Sequence, residues 1–241
     1  MNLAVDIGNT LAKLTLIENG QVADYVRTGT PDTDFVKKYL AGNPGITAAI
    51  MVAPGTEYDG IEKFLRENFK KFIRFDHTVG IPLKNLYKTP ETLGPDRLAA
   101  AVGANALYPD SNVLIVDFGT AITIDFVSER GEFLGGNISP GASARFRALN
   151  QFTKTLPLCS LNPGTVLVGD TTPAAVESGV ANGIVYEIEG YIRDMETKYG
   201  SLNIIFTGGD NDYFAKRLKN PIFATYDLVA YGLNRILEHN A

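Results

Sequence analysis

The chain has 241 residues and a formal net charge of −5, with 45% hydrophobic and 20% charged residues. This is the composition of an ordinary globular protein, and its acidic balance offers no electrostatic basis for binding nucleic acid or an anionic membrane. A single cysteine, Cys159, excludes an intrachain disulfide, and two histidines exclude a metal site built from several histidines.

The amino terminus lacks the basic and long apolar segments of a signal peptide. No apolar run approaches the length that spans a bilayer. These patterns predict a cytoplasmic protein that does not associate with membranes.

Strands and helices alternate along the first half. Apolar runs closed by turn residues predict strands over 3–7, 12–17, 21–27, 48–52 and 71–75. Apolar residues at helical spacing predict helices over 31–41, 61–69 and 98–107. Glycine and proline punctuate residues 80–97, which predicts an ordered loop there.

The second half continues the alternation. Strands are predicted over 112–116, 121–127 and 202–206, and helices over 142–152, 173–198, 211–219 and 227–238. Within 173–198 the apolar residues recur four apart, as in one buried helix face. The glycines of 135–141 predict a loop.

An internal repeat organises the chain. Residues 3–10 and 114–120 each contain an apolar strand, an aspartate (Asp6 or Asp117), a hydrophobe, a glycine and a threonine, and a second strand follows each copy. One Asp-x-Gly turn is a common end to a strand. Two copies, each opening one half of the chain, indicate a duplicated domain with predicted parts 1–110 and 111–241.

The repeated turn suits phosphate chemistry. Glycine lets the backbone approach an anion closely, and exposed amides and threonine hydroxyls donate to phosphate oxygens. The aspartates hold a metal ion or its waters between the phosphates. The chain contains neither Gly-x-x-x-x-Gly-Lys-Ser/Thr nor Gly-x-Gly-x-x-Gly, so nucleotide binding is predicted from the duplicated turn alone.

Seven short motifs in order give the chain a close resemblance to type III pantothenate kinases: 6–10, 94–97, 117–121, 135–141, 154–157, 172–179 and 207–209. That family lies in the superfamily of acetate and sugar kinases, hexokinase and actin. The resemblance implies an α/β fold of two tandem ribonuclease H-like domains of the actin and sugar-kinase type, with a nucleotide cleft between them.

The resemblance also implies an activity, a transferase that phosphorylates pantothenate with ATP to 4'-phosphopantothenate, the first step of coenzyme A biosynthesis. It implies Mg²⁺ bound with the nucleotide and a monovalent cation, K⁺ or NH₄⁺. It further implies a homodimer whose interface helps to build the pantothenate site.

The family's motifs match particular residues of this chain, and the resemblance therefore implies nucleotide-binding roles for them. The resemblance assigns ATP binding to Asp6, Ile7, Gly8, Asn9, Thr10, Leu11, Ala12, Lys13 and Thr120. It assigns the monovalent cation to Asp117 and places 207–209 near the adenosine. Many relatives have an apolar residue in place of Lys13, which either reaches a phosphate or faces solvent. Ile122 stands where the family usually has threonine, although Thr123 follows it.

The resemblance likewise implies roles for the residues that bind pantothenate, which accepts the phosphoryl group. The resemblance assigns substrate binding to Tyr87, Gly94, Pro95, Asp96, Arg97 and Thr172, the last from the partner subunit, and makes Asp96 the catalytic base. A carboxylate suits proton abstraction and arginine suits binding of a carboxylate. From the residues alone, Asp96 equally fits a helix N-cap, Arg97 a surface ion pair, Tyr87 loop packing and Thr172 the cap of the long helix.

Three other functions remain open at this stage. Another kinase of the superfamily would act on a sugar or a short carboxylate, and a relative of the family could be a transcriptional accessory factor that keeps the fold. The three aspartates Asp6, Asp96 and Asp117 argue against a regulator without catalysis. An actin-like filament former is the third possibility, for which the chain is short.

Overall fold

The computed structural model describes residues 1–8, 10–218, 223–224 and 228–240. Asn9, which the sequence placed in the first phosphate loop, lies outside them. The strands are β1 (Asn2–Ile7), β2 (Ala12–Glu18), β3 (Gln21–Thr28), β4 (Ala48–Val52), β5 (Lys71–Arg74), β6 (Lys84–Asn85), β7 (Val113–Phe118), β8 (Ala121–Ser128), β9 (Glu132–Pro140), β10 (Asn203–Thr207) and β11 (Phe223–Ala224).

The helices alternate with these strands. They are α1 (Thr33–Ala41), α2 (Asp59–Asn68), α3 (Pro95–Leu107), α4 (Ala142–Phe152), α5 (Thr172–Tyr199), α6 (Asn211–Ala215) and α7 (Leu228–His239). Among the residues described, no helix has the length and apolarity needed to cross a membrane.

The chain forms two compact units, and each contains a sheet of the same design. In the first, the strand order is β3-β2-β1-β4-β5, with β1 antiparallel to β2 and parallel to β4. In the second, the order β9-β8-β7-β10-β11 repeats this arrangement, with β7 antiparallel to β8 and parallel to β10, and β6 lies beside β9. The repeated order and orientation are those of two ribonuclease H-like domains, as the sequence predicted.

Each unit has its own apolar core. In the first, Leu3, Val5 and Met51 of the sheet pack with Ile61 and Leu65 of α2. In the second, α5 presents buried residues four apart, as its periodicity predicted, and packs them on the sheet: Val176, Val180, Ile184, Ile188 and Ile192. Burial of such apolar side chains is the main force that stabilises each domain.

The division of the chain differs from the predicted 1–110 and 111–241. Residues 130–134 and α7 group with the first unit. Helix α7 groups with the first unit because it packs very closely on α3, and glycines permit this close approach. A Cβ on Gly232 would lie 1.8 Å from the Ala99 carbonyl oxygen, and a Cβ on Gly103 would lie 2.6 Å from that of Leu228. Only glycine at both positions allows the two backbones to approach this closely.

The predicted loop over 135–141 is wrong, because residues 132–140 form β9. Gly135 adopts φ +108°, and a Cβ on Gly136 would lie 2.1 Å from the carbonyl oxygen of Ile124 in β8. The glycines therefore permit close approach within a strand rather than ending it. Three smaller differences are that β6 and β11 were not predicted and that α6 ends at Ala215, whereas the prediction extended it to 219.

Candidate active site

The first glycine loop connects β1 to β2. Ile7 pairs with Ala12, and the Gly8 amide donates to the Leu11 carbonyl oxygen at 3.0 Å. The side chains of Ile7 and Ala12 are buried in the core, so only their backbone is available to a ligand. Gly8, Thr10 and Leu11 are exposed, and they present the loop to solvent. This geometry leaves a backbone turn accessible to an anion.

Lys13 lies at the base of this loop. It faces Asp6 across the β1–β2 pair and Arg27 across the β2–β3 pair. The Lys13 Nζ lies 4.6 Å from the centroid of the Tyr25 ring, and the Arg27 guanidinium carbon lies 5.3 Å from it. Burial and the charge of Arg27 lower the pKa of Lys13 to about 8, while Asp6 opposes that shift.

The second glycine loop connects β7 to β8 and is one residue shorter. Phe118 pairs with Ile122 and Asp117 with Thr123, so Thr123 occupies the register position that Lys13 has in the first loop. The threonine hydroxyl that Ile122 lacks is therefore present one residue further on, directly opposite Asp117 in the sheet.

Asp117 is flanked by glycine. A Cβ on Gly208, which has φ +91°, would lie 2.4 Å from Asp117 Oδ1, and a Cβ on Gly119 would lie 3.4 Å from it. Thr120 is exposed, and its carbonyl oxygen accepts from the Gly141 amide at 3.1 Å. Glycine at both positions lets the backbone approach this partly buried carboxylate closely, and oxygen donors are what hard cations prefer.

The candidate base lies at the start of α3, which begins at Pro95, three residues before the predicted start. Gly94 is the N-cap, so the N-cap interpretation of Asp96 is wrong; Asp96 lies in the first turn and is exposed. Its Oδ1 accepts from the Arg97 amide at 2.9 Å. A Cβ on Gly94 would lie 2.6 Å from that same oxygen.

Arg97 and Tyr87 lie together in the first unit. Arg97 is 8% exposed, and its guanidinium carbon lies 5.8 Å from the centroid of the Tyr87 ring. Its burial argues against the surface ion pair that the sequence had left open. A partly desolvated guanidinium beside an aromatic ring is suited to binding a carboxylate.

Thr172 is exposed at the first position of α5. It does not cap the helix: the N-cap is Thr171, whose hydroxyl accepts from the Ala174 amide at 3.3 Å. The residue that caps α5 is therefore Thr171, one position before the threonine that the sequence suggested as the cap. Because Thr172 is exposed and has no capping role, its hydroxyl is available to a ligand.

The predicted adenosine loop follows β10. Burial raises the pKa of Asp210, which follows Gly209. Asn211 is fully buried, and neither polar atom of its side chain has a hydrogen-bond partner in the described structure. Sequence reasoning missed both residues, since a single Asp-Asn pair after Thr-Gly-Gly carries no distinctive pattern.

A further residue that sequence reasoning missed is Arg145 of α4. Its Nε donates to the Pro140 carbonyl oxygen at 2.7 Å, its terminal nitrogen contacts Ser139 Oγ at 3.2 Å, and it forms an ion pair with Glu187 of α5. Since Gly141 follows Pro140 and donates to Thr120, Arg145 links the second glycine loop to α5. No local sequence signal identifies such a link.

The chain is similar over most of its length to proteins of one known family. The family model for type III pantothenate kinase matches residues 2–194. The type III pantothenate kinase of Phocaeicola vulgatus is 41% identical over 243 residues, covering 100% of this chain and 99% of that protein. That of Christiangramia forsetii is 39% identical over 248 residues, covering 100% and 99%.

Solved structures agree on the fold. A protein described as a Baf family transcriptional activator from Campylobacter jejuni superposes with a TM-score of 0.66 at 22% identity, covering 99% of this chain and 98% of that one. One described as a 2-dehydro-3-deoxygalactonokinase from Sinorhizobium meliloti gives 0.61 at 15% identity, covering 100% and 99%. At these identities the likeness concerns the fold and carries no function.

Two α/β units of the same design, each with a glycine turn after its first strand, give this protein a fold of the actin and sugar-kinase class. The full-length similarity narrows that class to enzymes that transfer a phosphoryl group to an alcohol. The chain belongs to the type III pantothenate kinase family.

Proposed function

We propose that this protein transfers the γ-phosphoryl group of ATP to the terminal hydroxyl of pantothenate, with Asp96 as the base. The observation that carries the assignment is the exposed Asp96 carboxylate in the first turn of α3, next to the buried guanidinium of Arg97. Family membership favours pantothenate over a sugar or another carboxylate. Because ATP is the donor, we place the reaction in the cytoplasm.

The reaction needs positioning and charge neutralisation more than covalent chemistry. The Asp96 carboxylate accepts the proton of the hydroxyl, and the freed oxygen attacks the γ-phosphorus. The bond between that phosphorus and the bridging oxygen breaks, and ADP leaves. Arg97 and Tyr87 hold the acceptor, with the arginine paired to its carboxylate.

The two glycine loops hold the nucleotide. In the first loop, the exposed Thr10 offers a hydroxyl donor, and Lys13 supplies a positive charge. Thr120 donates from the second loop. Such groups stabilise the charge that spreads over the phosphoryl oxygens during transfer.

Two cations complete the proposal. Within the described ranges, no group of three or more His, Cys, Asp or Glu side chains could hold a metal ion by itself. Mg²⁺ would arrive with the nucleotide, and the carboxylate of Asp6 at the first glycine loop would help to hold it and to offset the charge of the phosphates. The partly buried carboxylate of Asp117, beside the backbone of Gly119 and Gly208, would supply oxygen ligands to a monovalent cation, K⁺ or NH₄⁺.

A homodimer is also part of the proposal, with Thr172 contributed by the partner subunit. The apolar side chains of 166–168 are 50%, 73% and 80% exposed. This segment lies on α5, because the Val166 carbonyl oxygen accepts from Ser178 Oγ at 2.9 Å and from Asn182 Nδ2 at 3.0 Å. An exposed apolar strip a few residues before Thr172 supports an interface there.

The experiment that tests the function measures ADP release with ATP, Mg²⁺ and K⁺, with and without pantothenate. We expect turnover that depends on pantothenate, and Asp96→Asn should lower kcat by about 10²–10⁴-fold. Asp34→Asn is the matched control, because Asp34 also lies at the second position of a helix, α1. No turnover with pantothenate under either monovalent cation would overturn the assignment, whereas full activity of Asp96→Asn would remove only the base.

A further inference from the structure

Tyr87 lies two residues beyond β6, a strand too short to be stable by itself. Strand β6 is held by β9: the Lys84 amide donates to the Gly131 carbonyl oxygen at 2.9 Å, and the Leu86 amide donates to that of Phe133 at 2.9 Å. The Tyr87 amide then donates to Asn85 Oδ1 at 2.9 Å. The backbone position of Tyr87 is therefore set by β9.

Side chains reinforce this pairing. Glu132 of β9 has a side chain only 10% exposed, and its Oε1 lies 3.0 Å from Lys84 Nζ of β6. Its Oε2 lies 3.1 Å from Arg130, which precedes it on the same segment. A buried carboxylate requires such partners, since an uncompensated buried charge is strongly destabilising. Of the two pairs, Lys84–Glu132 is the one that joins β6 to β9.

Phe133 extends the connection towards the candidate substrate site. Its side chain is fully buried, and its ring centroid lies 6.2 Å from that of Tyr87, with the rings tilted by 36°. Tyr87 in turn lies against the Arg97 guanidinium. Because Phe133 is fully buried, we expect it to affect a ligand through Tyr87, against whose ring it lies.

We propose that Glu132 and Phe133 of β9 are positioning residues that set the affinity for the acceptor by fixing Tyr87 and Arg97. The proposal rests on the proposed function, in which these two side chains bind pantothenate. It assigns a positioning role to residues 130–134, a segment of the second half of the chain that groups with the first unit. Neither residue is among those that the proposed function places in contact with the substrate, and neither belongs to the motifs of the glycine loops.

The test is steady-state kinetics with the KM for pantothenate and the KM for ATP measured separately. Phe133→Leu and Lys84→Met should each raise the KM for pantothenate by about tenfold, with kcat and the KM for ATP unchanged. Lys84→Arg keeps the charge and should retain the wild-type KM. Circular dichroism and thermal unfolding check that each variant is folded.

Two controls separate positioning from general loss of stability. Phe126→Leu truncates an equally buried phenylalanine in β8, which stacks on Tyr199 at 4.4 Å, and should not change the KM for pantothenate. Arg130→Gln removes the ion pair that does not join the strands and should also leave it unchanged. Equal rises in both KM values, or no change in Phe133→Leu and Lys84→Met, would overturn the proposal. A wild type inactive on pantothenate would instead overturn the proposed function itself, and this inference with it.

Discussion

The carboxylate of Asp96 occupies the space in which a side chain on Gly94 would begin, with Oδ1 2.6 Å from an ideal Cβ position. Real Cβ atoms do not approach an oxygen so closely, so any other residue at 94 displaces the carboxylate. Gly94 therefore determines where the candidate base lies, although it has no functional group.

Gly94→Ala should fold normally and lose kcat by about tenfold or more, because a small displacement of a catalytic group is costly. The backbone at Gly94, with φ −56°, is accessible to alanine, so little stability should be lost. Stopped-time assays of ADP release and a urea titration measure the two effects. Gly183→Ala in α5, where no atom lies within 4 Å of the new Cβ, is the control. An unchanged kcat in Gly94→Ala would contradict the view that catalysis depends on the position of the Asp96 carboxylate.

Gly208→Ala should lower the free energy of unfolding by roughly 1–2 kcal/mol, since φ +91° is unfavourable for a residue with a Cβ. The new Cβ would also lie 2.4 Å from Asp117 Oδ1, so the K⁺ concentration for half-maximal activity should rise. The neighbouring change Gly209→Ala meets no atom within 4 Å and should cost no such stability. Equal stability of the two variants would refute the steric argument.

The apparent KM for ATP should increase above about pH 8, where Lys13 loses its proton. The ammonium is present below that pKa and absent above it, and only the charged form attracts a phosphate. Arg27→Gln removes a positive charge that lowers the pKa of Lys13, so the increase should move to higher pH. Lys13→Met should abolish this pH dependence, and its persistence in that variant would assign it to another group.

Glu187→Gln should lower the free energy of unfolding by roughly 1–3 kcal/mol, because it leaves the half-buried guanidinium of Arg145 without its carboxylate. The KM for ATP should rise as well, since Arg145 connects α5 to the segment that contacts Thr120. Denaturant unfolding and ATP titration measure these effects. Glu189→Gln, two residues along the same helix, is the control; a stability loss with no change in KM would limit Arg145 to a structural role.

Leu167→Asp should convert the protein to a monomer and abolish turnover of pantothenate, because it puts a charge into an exposed apolar strip. Light scattering after size exclusion gives the mass of wild type and variant. Val22→Asp changes a partly exposed apolar residue of the edge strand β3 and should leave the mass unchanged. A monomeric wild type with full activity would argue against a shared site.

The order of the elements was predictable because local signals agreed. Apolar runs with turn residues predicted most strands of both sheets, and the four-residue spacing along α5 predicted its buried face. The exceptions were the glycine-rich β9, the two-residue β6 and β11, and the length of α6. In β9 the local preference of glycine for loops is overridden by a close approach to β8, which the neighbouring residues in the sequence do not predict.

The repeat of Asp6 and Asp117 and the seven ordered motifs determined, by sequence alone, the fold class and the family of this protein. Both depend on residue types at short spacing, which a linear pattern preserves. Only the tertiary structure decided that α7 packs on α3, that Thr123 faces Asp117, and that Glu132 and Phe133 support Tyr87. Those contacts join residues from 6 to more than 100 positions apart in the chain, and they are set by sheet register and close packing, which local sequence preference does not specify.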